Sequence, residues 1–285
     1  MKRLLTKFLL VALLGLSGPL QALAYEEMVV TSGGTISGRV LLSGPPPPAR
    51  IFHLIFSPNF EFCGRVSDGK GNRLLQEFRV DREGGLKDAI VVVVGVDRGK
   101  KFDFAPRMEL ENCRIAPFVT PIRNHGPITI ANKDSIVHDI QTYGLDDDHV
   151  FEMFNKPMVP TSEAEKEIRL RKGHYLVRTQ CGVHDFMQSW GMAVGNPYFA
   201  VTGPDGRYTI TDLPPGTYDL IVWHPRMKVQ SQRIRVAAET TAEASFTFVA
   251  SEVEIPLHDL QTEYRLDTAL RPRPMPEPSV ELQVP

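Results

Sequence analysis

Residues 202–225, TGPDGRYTITDLPPGTYDLIVWHP, decide the fold class of this chain. Two runs, Arg207–Thr211 and Thr217–Trp223, each follow a turn cluster: Gly203-Pro204-Asp205-Gly206 and Leu213-Pro214-Pro215-Gly216. Proline pre-sets a turn and glycine supplies positive φ, so each cluster reverses the chain cheaply. Tyr198–Thr202 and Arg207–Thr211 flank the first cluster as the arms of an expected hairpin. The same pattern repeats outward. Gly34–Leu42 (GTISGRVLL) alternates and stops at Ser43-Gly44, before Pro45 to Pro48, which cannot donate to a sheet ladder. Lys87–Val96 (KDAIVVVVGV) is a β-branched run suited to a buried strand. Pro127–Ala131, Ile136–Thr142, Lys166–Leu170, Tyr175–Gln180, Gln232–Val236 and Ala244–Val249 read as further strands. Helical periodicity is scarce, so an all-β sandwich or barrel is expected.

The 285 residues carry 32 Lys plus Arg against 34 Asp plus Glu, a net charge of −2 that argues against a nucleic-acid binder. Apolar residues at 42% and charged residues at 23% are ordinary globular usage. The chain opens with Lys2, Arg3 and Lys7, then an apolar run from about Phe8 to Leu16, then Ala22-Leu23-Ala24. This order reads as a secretory signal peptide over residues 1–24, cleaved near Ala24. A retained anchor is the alternative. No later stretch is long and apolar enough to span a bilayer. A soluble, exported or periplasmic protein is expected, in a compartment that permits disulfides. Residues 251–285 are proline-rich and aperiodic, and read as an extended tail.

The chemistry concentrates in Cys181-Gly182-Val183-His184-Asp185-Phe186-Met187, where thiol, imidazole and thioether each lie three residues apart. Asn132-Lys133-Asp134-Ser135-Ile136-Val137-His138 brings another imidazole near a strand. Two histidines, one cysteine and a weak methionine form the ligand set of blue-copper sites, whereas zinc rarely takes a thioether. The bland alternative is a buried Cys and Met serving as core filler.

These segments resemble the cupredoxins. The resemblance implies a cupredoxin-like Greek-key β-sandwich with His138, Cys181 and His184 as equatorial ligands and Met187 as the axial one. It implies one copper ion cycling between Cu(I) and Cu(II). Asn132 matches the asparagine that hydrogen-bonds across to the cysteine loop. The His-x-x-Met spacing departs from that of small blue-copper proteins and is nearer the binuclear centre of terminal oxidases. That centre needs a second cysteine in the loop, and none is present, so a mononuclear site is expected, with Met192 in reserve for Met187.

The 202–225 stretch resembles carboxypeptidase-regulatory-like modules, which are transthyretin-like β-sandwiches. Their opening strands have counterparts far upstream, at Gly34–Val40 and Ala89–Val93. A split module over 25–100 and 197–250 is therefore expected, with the cupredoxin-like unit, 101–196, inserted; tandem separate domains are the alternative. The combination resembles exported methylamine-utilisation-like proteins. With Cys181 assigned to the metal, Cys63 and Cys113 remain as an even pair, and a disulfide tying the two units is expected rather than two buried thiols.

His224 could lie near the metal or an electron path, or be structural. His174, just before the ligand strand, reads as a surface residue; His53, His125 and His258 have no partner pattern, and Asp146-Asp147-Asp148-His149 reads as a solvated acidic turn or a docking patch. No hydrolase or nucleotide-enzyme motif is present. The leading expectation is electron transfer with a redox partner, such as a c-type cytochrome or a membrane oxidoreductase, docking near an exposed ligand loop. A copper carrier or sensor, and an adhesion or assembly module with a vestigial site, are the alternatives. A copper enzyme ranks below them, because four protein ligands leave no open position.

Overall fold

The computed structural model describes residues 25–145 and 150–253. The expected signal peptide, the acidic turn at 146–149 and nearly all of the expected tail lie outside the described residues. The fold is all-β. Its one α-helix among the described residues is the single turn Phe60–Cys63.

Four sheets carry the architecture. In the first, Gly34–Ser43 pairs antiparallel with Arg207–Leu213 and parallel with both Thr241–Glu243 and Phe246–Val249. The second is antiparallel, in the order Phe199–Val201, Ile90–Val94, Gly216–His224, Met227–Val236. These two sheets share one core, to which Ile36, Val40, Ile210 and Phe248 come from the first and Val91, Val93, Leu220 and Val222 from the second. The third runs Glu163–Glu167, Pro127–Asn132, Arg107–Leu110, Ile115–Ala116. The fourth runs Val150–Met158, His138–Leu145, Leu176–Cys181, Gln188–Ala193, Val119–Ile122. A second core lies between these, built from Met108, Ile128 and Ile130 on one side and Ile140, Val177 and Cys181 on the other.

A third cluster explains the valine run. Val91 and Val93 face the first core, while Ile90 and Val92 pack with Val119, Trp190, Met192 and Trp223. The strand is apolar on successive residues because both its faces are covered. The second and fourth sheets thus meet back to back, which makes the two sandwiches one stack.

Several sequence expectations shift. The Gly203–Gly206 cluster turns the chain, but it does not join a hairpin: Phe199–Val201 pairs with Ile90–Val94, while Arg207–Leu213 pairs with Gly34–Ser43. Turn residues encode a reversal and leave the choice of neighbour to tertiary packing. Gly206, at φ +74°, lies so close to the first sheet that a Cβ would meet the Val40 carbonyl oxygen at 2.4 Å. The strand expected at Lys166–Leu170 is instead Glu163–Glu167, an edge strand whose alternating charges face solvent. Ile168 and Leu170, just beyond it, are the buried residues that drew the expectation. Val119–Ile122, with an internal proline, and the charged Val150–Met158 went unrecognised as strands.

Cys63 and Cys113 are joined by a disulfide, with Cα atoms 5.5 Å apart across a sequence separation of 50. The segment around Cys63 packs on the second core through Phe52, Leu54 and Val66. It therefore covers the end of the sandwich that carries Cys181.

Candidate metal centre

The centre forms where two neighbouring strands end together. His138 opens the strand His138–Leu145, Cys181 closes Leu176–Cys181, and Ile140 pairs directly with Cys181. The chain then turns through residues 182–187 and returns as Gln188–Ala193. The turn closes on itself, with the Cys181 amide donating to the Met187 carbonyl at 3.1 Å and the Met187 amide to the His184 carbonyl at 2.8 Å. A Cβ at Gly182 would meet the side-chain ends of Gln141, at 2.4 Å from Nε2, and Asp139, at 2.7 Å from Oδ2, so a larger residue there would have to displace them.

This path brings three donor atoms together. Nδ1 of His138 lies 3.2 Å from Nδ1 of His184, and Sγ of Cys181 lies 3.8 and 3.5 Å from those two nitrogens. The point equidistant from all three in their common plane is about 2.0 Å from each, the length of a metal–imidazole bond. Two hydrogen-bonding imidazoles need not enclose such a point; a trigonal metal site must. The residues present therefore fit a soft first-row ion. His138, Cys181 and His184 are all 0% exposed. Met187, 1% exposed, packs in the same core cluster as Cys181.

Burial sets the protonation. It raises the Cys181 thiol, against backbone hydrogen bonds from Val183, Asp139 and His184 that favour the thiolate. Burial, aided by the neighbouring His138, lowers His184 to about 4, so its imidazole is neutral with a lone pair to offer at neutral pH.

Asp134, which sequence reasoning passed over, completes the arrangement. Its Oδ2 lies 2.8 Å from Nε2 of His138. A carboxylate only accepts, so Nε2 carries the proton and Nδ1 is left free on the side of Cys181 and His184. The same carboxylate accepts the amides of Asn112 at 2.6 Å and Cys113 at 2.9 Å. Both of those residues have φ of +50°, a left-handed pair that points successive N–H groups at one anion. The signal in sequence was the spacing: Asp134 stands four residues before His138 in a loop that must turn.

Other expected residues fall elsewhere. Asn132 does not reach the cysteine loop. Its Nδ2 donates to the carbonyls of Ile136, Met158 and Val159, and its Oδ1 accepts from the Asp134 amide. It shapes the loop that presents His138. Met192 is set apart, opposite Leu176, five residues before Cys181 on the neighbouring strand. His224 is likewise outside the group: it is 0% exposed, stacks on Phe78 and bonds through Nε2 to the Glu77 carbonyl at 3.2 Å. Burial pushes His224 down to about 3. Cys113 lies near Asp134 and His138, but its sulfur is spent on Cys63. The loop is exposed only in part: Gly182 reaches solvent, while Cys181, His184 and Met187 are buried and the 52–66 segment packs over this end, with Phe52 meeting Phe186 edge-on.

Residues 192–249 match the carboxypeptidase regulatory-like domain family. A purple cupredoxin from Nitrosopumilus maritimus is similar over 31% of this chain and 99% of its own, at 17% identity and a TM-score of 0.26. Amicyanin from Paracoccus versutus is similar over 36% of this chain and 97% of its own, at 12% identity and a TM-score of 0.26. A copper-containing nitrite reductase from Thermus scotoductus is similar over 36% of this chain at 12% identity and a TM-score of 0.26, but this covers only 25% of the reductase. No curated protein matches.

Proposed function

We propose that His138, Cys181 and His184, with Met187 as a weak axial ligand, hold one copper ion, and that the protein transfers electrons. The observation that carries this reading is the buried triangle of two imidazole nitrogens and one thiol sulfur, whose centre lies a bond length from each. Copper bound there would alternate between Cu(I) and Cu(II). The chain's own contribution is to hold a ligand set acceptable to both states, neutral imidazoles and a thiolate, inside a packed core that resists rearrangement. Complete burial of the three ligands favours electron transfer over a carrier or sensor, because a carrier must release its ion readily. Four protein ligands, Met187 included, would leave no open position for a copper enzyme.

Around this centre we read the chain as a split sandwich, 25–100 with 197–250, enclosing the copper unit at 101–196. Support comes from the pairing of Gly34–Ser43 and Ile90–Val94 with strands beyond residue 198. The packing of Phe52, Leu54, Val66 and Leu75 supports assigning the 50–75 excursion to the copper unit as its cover. The disulfide supports export to an oxidising compartment. No helix among the described residues is long and apolar enough to cross a membrane. The partner on this reading is a redox protein, such as a c-type cytochrome or a membrane oxidoreductase.

Adding Cu(II) to the purified, metal-free protein, with Cys181→Ser beside it, tests the reading by visible absorption and electron paramagnetic resonance. An intense charge-transfer band that the substitution abolishes is expected. A colourless protein that binds no copper and matches its variant would overturn it.

A further inference from the structure

A cavity of about 560 Å³ adjoins the candidate centre, with Phe186, Met187 and Gln188 in one wall. Arg73, half-buried, and Arg114, exposed, also line it. Three carboxylates also border the cavity, and each is already engaged. Asp68 accepts the amides of Lys70 and Asn72, Glu77 pairs with Arg50 and Arg226, and Asp88 pairs with Arg79. Among the described residues, neither Arg73 nor Arg114 has an acidic partner. Nε of Arg73 is buried with no hydrogen-bond acceptor. An orphaned buried donor on a cation is costly, and native proteins rarely keep one without a use. Burial and the nearby charge of Arg114 together lower the Arg73 guanidinium to about 10.

Leu75, Ile115, Pro117 and Phe118 add apolar surface to the lining, beside the polar Ser67 and Gln76 and a further cation, Lys87. The volume is that of a small-ligand site, and the lining combines guanidinium donors with hydrocarbon surface. We propose that this cavity binds a small organic carboxylate, its anionic head bridging Arg73 and Arg114 and its apolar body against Phe118 and Ile115. Arginine suits the role because its planar fork matches a carboxylate in a bidentate fashion. A bare inorganic anion would leave the apolar wall unfilled. The site stands beside the Met187 segment yet needs no metal, so it does not rest on the copper reading.

Isothermal titration of the purified protein with sodium benzoate at low salt tests the proposal. Saturable one-to-one binding is expected. Arg73→Gln should weaken it about ten-fold or more and Arg114→Gln several-fold, on the strength of a charge-assisted pair. Arg233→Gln, whose guanidinium pairs with Asp219 on the other sandwich, should leave it unchanged. Benzoate should also raise the melting midpoint of the unsubstituted protein, a readout that survives if a variant does not fold. Titration that never saturates and leaves melting unmoved would overturn the site. So would binding that survives both Arg73→Gln and Arg114→Gln. Inorganic phosphate binding as tightly as benzoate would overturn the organic class. Failure here leaves the copper band untouched, and loss of the copper band leaves benzoate binding untouched.

Discussion

Asp134 offers a direct test of how the candidate centre is held. Its carboxylate, 3% exposed, accepts three hydrogen bonds: from the amides of Asn112 and Cys113 and from Nε2 of His138. Asp134→Ala would strand all three donors. The Cys113 amide is buried and costs about 1–3 kcal/mol when unsatisfied, the Asn112 amide is only part-buried and costs less, and the third donor belongs to a ligand. A total loss of about 3–5 kcal/mol in unfolding free energy follows, comparable to breaking a buried pair. Asp134→Asn keeps one accepting oxygen but turns an N–H toward an amide that also donates, so about 1–3 kcal/mol is expected. The more telling readout is the metal. With Nε2 no longer held as a donor, Nδ1 of His138 is free to take the proton and lose its lone pair. Copper affinity, measured by competition with a chelator at pH 7, should fall about 10- to 100-fold in both variants. Urea unfolding run beside it separates the two effects. If stability falls as stated while copper affinity and the charge-transfer band stay at their original values, Asp134 only braces the 111–114 turn, and the argument from tautomer to ligand is wrong.

Two further outcomes follow from the buried groups. His224 is held down to about 3, so the unfolded chain takes up a proton below its ordinary value of 6.5 while the folded chain does not. Stability is therefore lost as pH falls from 6.5 toward 3, by about 3 kcal/mol at pH 4.5 from this residue alone; His224→Gln should flatten that part of a stability–pH profile measured with urea. Replacing both Cys63 and Cys113 with alanine opens a crosslink of sequence separation 50, and the chain-entropy model expects a loss of about 4 kcal/mol in urea unfolding.

Some strands, Gln188–Ala193 among them, were hard to recognise for a physical reason. Alternation is visible where one face meets water, as in Arg207–Leu213, and a β-branched run is visible where both faces are covered, as in Ile90–Val94. Gln188–Ala193 is buried almost throughout but mixes Gln, Ser, Trp, Gly and Met, so neither pattern appears. The candidate ligands were legible because Cys181, His184 and Met187 lie within one turn, where spacing alone brings side chains together. The roles of Asp134 and Asn132 depended on which loops face each other across the sandwich. Asn132 matches an asparagine that reaches the cysteine loop, yet its own loop and the carbonyls of Met158 and Val159 take up its side-chain bonds. The cover over the ligand loop was also invisible in sequence, because the 52–66 segment and the cysteine loop meet only through tertiary packing.

The parallel pairing of Gly34–Ser43 with Thr241–Glu243 and Phe246–Val249 has a mechanical consequence. Force applied at the N-terminal end of the first strand and at the C-terminal end of the last pulls the pair in shear. The hydrogen bonds between them then share the load at once instead of unzipping one by one. Everything from Gly44 to Thr240 lies inside the loop that this pairing closes. Tension from either side therefore bypasses His138, Cys181 and His184 until the clamp gives way, and the centre stays unstrained while the chain around it is pulled.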